Sequence, residues 1–311
     1  MLVEPMRRPL LFLLVCGATF SGFLACGSRT GLLVPDEGVA DAGHDAKKDV
    51  SVDARPDSIP QIDASKRDSS KNDCPDADST FIYVVTDTNE LLAFYPPDAS
   101  FKKVGLLTCS AKGGATPYSM GVDRKGVAYV TYTNGQLFKV STKDAACAPT
   151  AFVEQQTNFE TFGMGFATKG VGPEEDLYIA SATSAFLGKV DVTSTFAITS
   201  VGEFDPLLDR AELTGTGDGR LYAFYAPSPG TSAIAEVDKG SAAVIASDPL
   251  PGVDQGNGWA FGFWGGYFWL FTSPGGKQRV TRYDPATKGT TIVGGYTSNI
   301  VGAGVSTCAP Q

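Results

Sequence analysis

The sequence predicts an all-β fold in which five similar units of four strands form a closed ring, because two repeated markers share one period. The first marker is a glycine within a short apolar segment, at Gly121, Gly165, Gly215, Gly262 and Gly304. The second is an aromatic residue, at Tyr83, Tyr129, Tyr178, Tyr222 and Trp269. Both recur every 42 to 50 residues, a period typical of repeats with four strands per unit. The markers predict a five-bladed β-propeller over residues 74–311.

Each unit is expected to contain the same four strands. The glycine marks the innermost strand, because five inner strands crowd around one axis and a missing β-carbon permits their close approach. A turn signal follows, as in Asp123-Arg124-Lys125-Gly126. The aromatic marker lies in the second strand, which is rich in β-branched residues. The third strand ends on an apolar residue and a polar one, as in Val190-Asp191. Outer strands are predicted around residues 103–104, 151–153, 196–198, 243–245 and 291–293.

The two ends of this domain predict how the ring closes. The first unit begins at its second strand, residues 81–85, and an extra first strand follows the last unit, over residues 300–307. One blade is therefore assembled from both ends, which leaves no open sheet edge. Cys74 and Cys308 flank these two strands and are expected to form a disulfide. Cys109 and Cys147 would then pair by elimination, but the strand count places them towards opposite faces, and their pairing stays open.

The first 25 residues are typical of a secretory signal peptide. Arg7 and Arg8 precede a short apolar run over residues 10–15, and small residues follow. The segment ends at Phe23-Leu24-Ala25-Cys26-Gly27. This resembles the bacterial lipobox, whose cysteine is acylated and becomes the mature N-terminus. We expect an exported chain held at a membrane by lipid (palmitate) on Cys26. A soluble exported chain cleaved nearby is the alternative.

Residues 26–73 have the composition of a linker. From residue 28 onward they lack aromatic side chains, and aspartate recurs every four to six residues from Asp36 to Asp68. Pro35, Pro56 and Pro60 interrupt the run. Too little apolar area is available to offset the ordering of this backbone, which predicts a disordered tether. Calcium binding by the aspartates is the alternative, although no glycine-hinged loop with ligands at alternating positions is present.

Charge and composition argue against several function classes. The chain has 25 Lys and Arg against 34 Asp and Glu, a net charge of −9. No basic cluster appears in the globular part, which disfavours nucleic acid and anionic lipid head groups as partners. The single histidine, His44, lies in the linker, and no cysteine spacing resembles a zinc motif. We therefore expect no metal site, no cofactor and no histidine-based catalytic triad, and we expect a monomer.

The candidate ligand-binding residues lie at one mouth of the predicted channel. Three residues before the inner glycines stand Tyr118, Phe162, Glu212, Trp259 and Val301. Aromatic side chains with one carboxylate suit a protein, peptide or glycan ligand. The alternative is that the aromatic residues wedge between blades as core. Trp264, beside the Gly265-Gly266 turn, is expected to be the most exposed member of the aromatic segment 259–269, and it completes the candidate set.

The sequence favours binding over catalysis. Some five-bladed propellers resemble furanoside hydrolases, which place several carboxylates on their inner strands. Here the inner strands offer only Glu212 near the mouth, with Asp123 at the far end. A paired-carboxylate site is not visible, so we expect no enzymatic activity. A carbohydrate-active hydrolase or lyase on the same scaffold is the alternative.

Taken together, the lipobox at Cys26, the aspartate-rich tether and the closing strand make the chain similar to the exported propeller lipoproteins of Gram-negative bacteria. The resemblance implies a lipid-anchored protein of the cell envelope, at the outer membrane. It also implies a scaffold that binds other molecules, and it indicates no particular ligand.

Overall fold

The fold is known from a computed structural model that describes residues 80–170 and 172–311. The predicted signal peptide (1–25), the lipidation site Cys26, the linker (26–73) and Cys74 lie outside the described residues. Within them, twenty strands form five antiparallel sheets of four strands each. Two short 3-10 turns, Lys112–Gly114 and Pro274–Gly276, complete the regular elements of this part of the chain. The predicted five-bladed β-propeller is confirmed.

Strand bounds follow the predicted repeat. In chain order the strands are β1 Ile82–Thr86, β2 Glu90–Tyr95, β3 Ser100–Leu106, β4 Pro117–Val122, β5 Val127–Tyr132, β6 Leu137–Ser141, β7 Cys147–Pro149, β8 Phe162–Thr168, β9 Glu175–Ser181, β10 Phe186–Val190, β11 Ile198–Glu203, β12 Glu212–Gly215, β13 Leu221–Tyr225, β14 Ala233–Val237, β15 Val244–Pro249, β16 Trp259–Trp264, β17 Tyr267–Thr272, β18 Arg279–Asp284, β19 Gly289–Gly294 and β20 Ile300–Val305. Blade 1 contains, from the axis outward, β20, β1, β2 and β3. Blades 2 to 5 take the other strands four at a time, innermost first.

The ring closes as predicted, through the last strand. β20 pairs antiparallel with β1, from Ile82 opposite Val305 to Val85 opposite Gly302. The chain then crosses the end of the channel nearest the β4–β5 turn. There Thr307 Oγ1 accepts a hydrogen bond from Arg124 Nη1 at 3.1 Å, and the Pro310 carbonyl accepts one from the Gly265 amide at 2.7 Å. The C-terminal residues therefore cover one mouth, and within the described residues the opposite mouth is open to a site on the axis.

The core lies between the blades. In the described part of the chain, five clusters of buried apolar side chains fill the spaces between neighbouring blades. The aromatic marker places one ring in or against each cluster: Tyr83 between blades 1 and 2, Tyr129 between 2 and 3, Tyr178 between 3 and 4, Tyr222 between 4 and 5, and Trp269 between 5 and 1. The marker recurs because each interface between blades needs one large ring to fill it.

The glycine marker reflects close contact between inner strands. A methyl group on Gly165 would come within 2.6 Å of the Leu213 carbonyl oxygen, and one on Gly304 within 2.7 Å of the Val122 amide. Gly121 and Gly262 differ, because the nearest atoms that a methyl group would meet there belong to side chains, at 3.2 Å and 2.5 Å. Backbone contact between neighbouring inner strands therefore explains Gly165, Gly215 and Gly304 without a ligand.

Cys109 and Cys147 form a disulfide with a Cα–Cα distance of 5.1 Å. Counting strands places them towards opposite faces, but each blade twists from its inner to its outer strand. The twist brings the end of β3 in blade 1 against the β6–β7 turn of blade 2, where Gly105 packs on Ala145. The bridge therefore links the outer edges of blades 1 and 2. Cys308 is also disulfide-bonded; its predicted partner, Cys74, lies outside the described residues.

Two outer strands differ from the prediction. The outer strand of blade 2 is Cys147–Pro149 and not residues 151–153. Phe152, which suggested a strand, belongs to the core. It is buried between blades 2 and 3, and its ring centroid lies 5.7 Å from that of Phe162. In blade 3 the outer strand starts only at Ile198, because Phe196 has a φ of +56° and belongs to the preceding turn.

The outer strands of blades 1, 3, 4 and 5 share one irregularity. Each carries an extra residue opposite the third strand, a β-bulge at Val104, Val201, Ile245 or Val293. A bulge distorts an exposed edge and hinders pairing with another sheet.

Candidate functional site

The open mouth is formed where the five inner strands begin. Tyr118, Glu212, Trp259 and Val301, from four different blades, line one cavity of about 190 Å³. This is below the range of roughly 300–1,000 Å³ that is usual for drug-sized ligands. The cavity is large enough for a single small group, such as one amino-acid residue or one sugar ring. Of the candidate residues Tyr118, Phe162, Glu212, Trp259 and Trp264, the cavity therefore brings together Tyr118, Glu212 and Trp259, and Val301 joins them.

Backbone irregularities direct two side chains into this cavity. Pro117 pairs with Tyr132 and Ser119 with Thr131, so Tyr118 is an extra residue, a β-bulge. Val301 is likewise extra, because Thr86 pairs with Ile300 while Val85 pairs with Gly302. A bulge takes a side chain out of the regular alternation and re-aims it. Phe162 stands in regular register opposite Ser181. This difference between Tyr118 and Phe162 has no signal in the sequence.

Phe162 and Trp264 do not belong to the mouth. Phe162 is fully buried between blades 2 and 3. This agrees with the alternative in which the aromatic residues pack between blades as core. Trp264 lies at the other end of β16 and is half-buried against the cluster between blades 5 and 1. Its indole Nε1 donates to the Thr80 carbonyl oxygen at 2.9 Å and to Thr80 Oγ1 at 3.0 Å. Its position beside a turn suggested exposure, but the segment preceding β1 packs on it.

Glu212 forms the floor of the cavity. It is 6 % exposed, and its Oε2 accepts a hydrogen bond from Ser119 Oγ at 2.6 Å. Ser119 Oγ in turn accepts one from the Met164 amide at 3.1 Å. The three residues come from blades 4, 2 and 3, so the carboxyl group crosses the channel. Burial raises the pKa of Glu212 well above its ordinary value, against the opposing effects of the Ser119 hydrogen bond and the Arg210 charge.

Arg210 and Trp259 form one wall. The guanidinium carbon of Arg210 lies 4.9 Å from the centroid of the Trp259 ring, a cation–π contact. Burial first, and the Glu212 carboxyl second, raise the pKa of Tyr118, while the charge of Arg210 and hydrogen bonds with Arg210 and Thr161 lower it. Sequence reasoning missed Arg210, because it lies in the loop between β11 and β12 and outside the repeat.

Asp87 is a second acidic group at this mouth, also missed from the sequence. It follows β1 in blade 1 and lines the same cavity as Glu212. Its Oδ2 accepts a hydrogen bond from Asn299 Nδ2 at 2.9 Å, and its backbone amide donates to the Asn299 carbonyl at 3.0 Å. The mouth therefore has two carboxyl groups, where the inner strands alone suggested one.

The covered mouth holds a half-buried carboxyl group, Glu175 at the start of β9. Its Oε1 accepts a hydrogen bond from the Arg124 amide at 2.7 Å, and its Oε2 accepts one from Thr307 Oγ1 at 2.8 Å. Burial is the largest influence and raises the pKa of Glu175 from 4.5 to about 7. The folded state therefore favours the protonated, neutral form of Glu175 up to a pH of about 7.

Glu175→Gln is expected to stabilise the domain in alkaline solution only. The folded pKa lies above the unfolded value of 4.5. The contribution of Glu175 to stability is therefore fully present below pH 4.5 and is lost as the pH rises through about 7. The shift corresponds to at most about 3 kcal/mol, which the variant should recover at pH 8. Urea unfolding at pH 4.5 and pH 8 measures both values. Glu174→Gln, at an exposed neighbour, is the control and should change stability by less than about 0.5 kcal/mol. An equal effect of Glu175→Gln at both pH values would contradict the prediction.

Two further features are absent from the described residues. Residues 80–170 and 172–311 contain no group of three His, Cys, Asp or Glu side chains close enough to hold a metal ion. Over the same ranges, no helix has the length and apolar character needed to cross a bilayer.

Comparisons with known proteins identify no family for this chain. No protein-family model and no curated protein matches the chain. Among solved structures it is similar to a chain in a nidogen/laminin complex, with a TM-score of 0.47 and 10 % identity, covering 74 % of this chain and 99 % of that one. It is also similar to the Dos1 propeller (TM-score 0.40, 12 % identity, 74 % and 71 % covered) and to streptogramin B lyase (0.38, 13 %, 68 % and 67 %). These proteins are diverse, and similarity at this level carries no argument about activity.

Proposed function

We propose that this chain is a non-enzymatic, lipid-anchored protein of the bacterial cell envelope whose propeller binds a ligand at its open mouth. The signal-like segment ending at Cys26 supports export and anchoring, at the outer membrane. The aspartate-rich segment 26–73 supports a tether between the lipid and the propeller. The propeller fold is a common interaction scaffold.

One observation carries the binding proposal. The mouth cavity joins Tyr118, Arg210, Glu212 and Trp259, which come from three blades and from one loop outside the strands. A ring fixed by backbone contacts between its inner strands holds these groups in place before any ligand arrives. Preorganised polar groups around a small apolar wall are the usual composition of a binding pocket.

The lipid anchor is tested by Cys26→Ser. The wild-type chain, expressed with its own leader in a Gram-negative host, should partition into the detergent phase and carry acyl chains by mass spectrometry. The variant should appear in the aqueous phase without them. If the wild-type chain carries no lipid, the anchoring part of the proposal is wrong.

Ligand binding is tested by thermal shift of the full purified chain against a panel of sugars, amino acids and short peptides. A ligand of the mouth should raise the melting temperature, because it binds only the folded state. Tyr118→Ala should remove that shift. Tyr95→Ala, at an exposed tyrosine on β2, should leave it unchanged. If no member of the panel shifts the wild-type chain in a manner sensitive to Tyr118→Ala, the binding proposal fails.

A second candidate, a carbohydrate-active hydrolase or lyase, is favoured by one observation. Asp87 and Glu212 line the same cavity, and two carboxyl groups around one sugar-binding site are what glycoside hydrolysis uses. Incubation of the same chain with a glycan panel separates the two functions. Turnover that is lost in both Glu212→Gln and Asp87→Asn would replace the binding proposal with the enzyme. Bound sugar that stays intact supports binding.

A further inference from the structure

The open mouth contains a cation without a matching anion. Arg210 is exposed, and within the described residues no carboxylate oxygen lies within 4.0 Å of its guanidinium group. Its contacts are with the ring of Trp259 and with the neutral Tyr118 side chain, and neither group carries a negative charge. In a chain of net charge −9, an arginine fixed over an aromatic ring without an ion-pair partner is available to an external anion.

A second donor at the same wall, the indole N–H of Trp259, has no hydrogen-bond partner in the part of the chain that the structure describes. The Trp259 Nε1 atom is buried and donates to no acceptor within the described residues. A buried indole N–H normally finds an acceptor, because leaving it unpaired costs about 1–3 kcal/mol. Glu212, the buried carboxyl group of the same cavity, accepts its hydrogen bond from Ser119, and among the described residues no ion pair joins it to Arg210.

We propose that the open mouth binds the carboxylate group of a small ligand, with Arg210 as the principal contact and the Trp259 indole N–H as a second donor. This proposal rests on the binding function proposed above. Guanidinium and carboxylate groups match in geometry as well as charge. Arg210 covers a face of the Trp259 ring, so this face is not free to stack on a neutral sugar. Asp87 on the blade 1 wall repels a second negative charge, so the ligand carries one carboxylate and not two.

The indole N–H signal of Trp259 in a ¹H–¹⁵N spectrum of the full chain reports on this site. The indole groups of Trp264 and Trp269 donate to Thr80 and to the Trp264 carbonyl, so their signals are internal controls. Trp259→Phe assigns the reporting signal. Added sodium acetate should move the Trp259 signal in a saturable manner and leave the other two in place. Acetamide, which has the same shape without the charge, should not move it.

Matched arginine variants separate the guanidinium of Arg210 from general charge effects. Arg210→Gln should weaken acetate binding by about tenfold or more, because a charge-assisted hydrogen bond is lost. Arg282, whose guanidinium carbon lies 4.8 Å from the Tyr267 ring centroid, makes the same type of contact away from the mouth. Arg282→Gln should therefore leave acetate binding unchanged.

Two larger acids identify the source of the carboxylate. N-acetyl-glycyl-alanine carries a peptide carboxylate and glucuronic acid a sugar carboxylate. The one that displaces acetate at the lower concentration identifies the ligand class. If acetate gives no saturable shift, or acetamide gives the same one, the carboxylate assignment is overturned. The binding proposal survives that result if a neutral ligand of the panel still binds in a manner sensitive to Tyr118→Ala, and both proposals fail if nothing binds at this mouth.

Discussion

Removal of residues 300–311 is expected to abolish the cooperative fold of the propeller. The deletion takes away the inner strand of blade 1, including Ile300 and Val305, which are buried, and its pairing with β1. Each fully buried Ile or Val contributes about 1.5–3 kcal/mol. Lost backbone pairing and an opened ring add to this, against a total stability of about 5–15 kcal/mol for a typical domain.

Circular dichroism during heating and size-exclusion chromatography measure the outcome. The shortened chain should lose its cooperative transition and elute as larger species, because the exposed edge of β1 can pair with other chains. Cys308→Ser is the control, since it keeps β20 and removes only the disulfide. A shortened chain with the melting temperature and elution volume of the full one would show that β20 does not close the ring.

Gly215→Ala is expected to lower the free energy of unfolding by about 3 kcal/mol, a cost typical of overpacking at its upper end. The new methyl group would lie 2.6 Å from the Ala167 Cα atom and overlap the Phe166 carbonyl oxygen. Both obstacles belong largely to the backbone of the neighbouring inner strand, which cannot move without shifting the ring. Urea unfolding measures the loss.

Gly121→Ala is the matched substitution, at the same place in another blade. Its methyl group would meet Leu177 Cδ1 at 3.2 Å and Phe166 Cδ2 at 3.4 Å. Side chains can yield by this amount, and alanine reduces the entropy of the unfolded chain. The change in unfolding free energy should therefore stay within about 1 kcal/mol. Equal losses at Gly215 and Gly121 would show that contact between inner strands is not what requires glycine.

The fold could be predicted because its determinants are repeated. Five glycines and five aromatic residues at one period indicate repeated surroundings. The structure places the five aromatic rings between the blades and sets three of the glycines against the backbone of a neighbouring inner strand. The polar residue that ends the third strand also has a repeated task. Asp238 and Asp284 each accept hydrogen bonds from backbone amides of the turn that follows. Features that repeat in this way can be recognised from a single sequence.

The site could be predicted only in part, because it departs from the repeat. Equivalent positions in the repeat predict Tyr118, Glu212 and Trp259, which line the mouth cavity, and equally predict Phe162, which is buried between blades 2 and 3. What separates Tyr118 from Phe162 is a bulge, which depends on pairing with the neighbouring strand. Arg210 and Asp87 lie beyond the strand ends, where no period applies. Blade twist, which the strand count ignores, decides the pairing of Cys109 with Cys147.

The bulges at Tyr118 and Val301 also bear on how such a ring can diversify. Both residues stand outside the paired ladder, so exchanging their side chains leaves the hydrogen bonds of their neighbours in place. Single substitutions at these two positions can therefore change which ligand binds, while the pairing of the strands stays the same. Related chains could thus share an almost identical skeleton and accept unlike molecules.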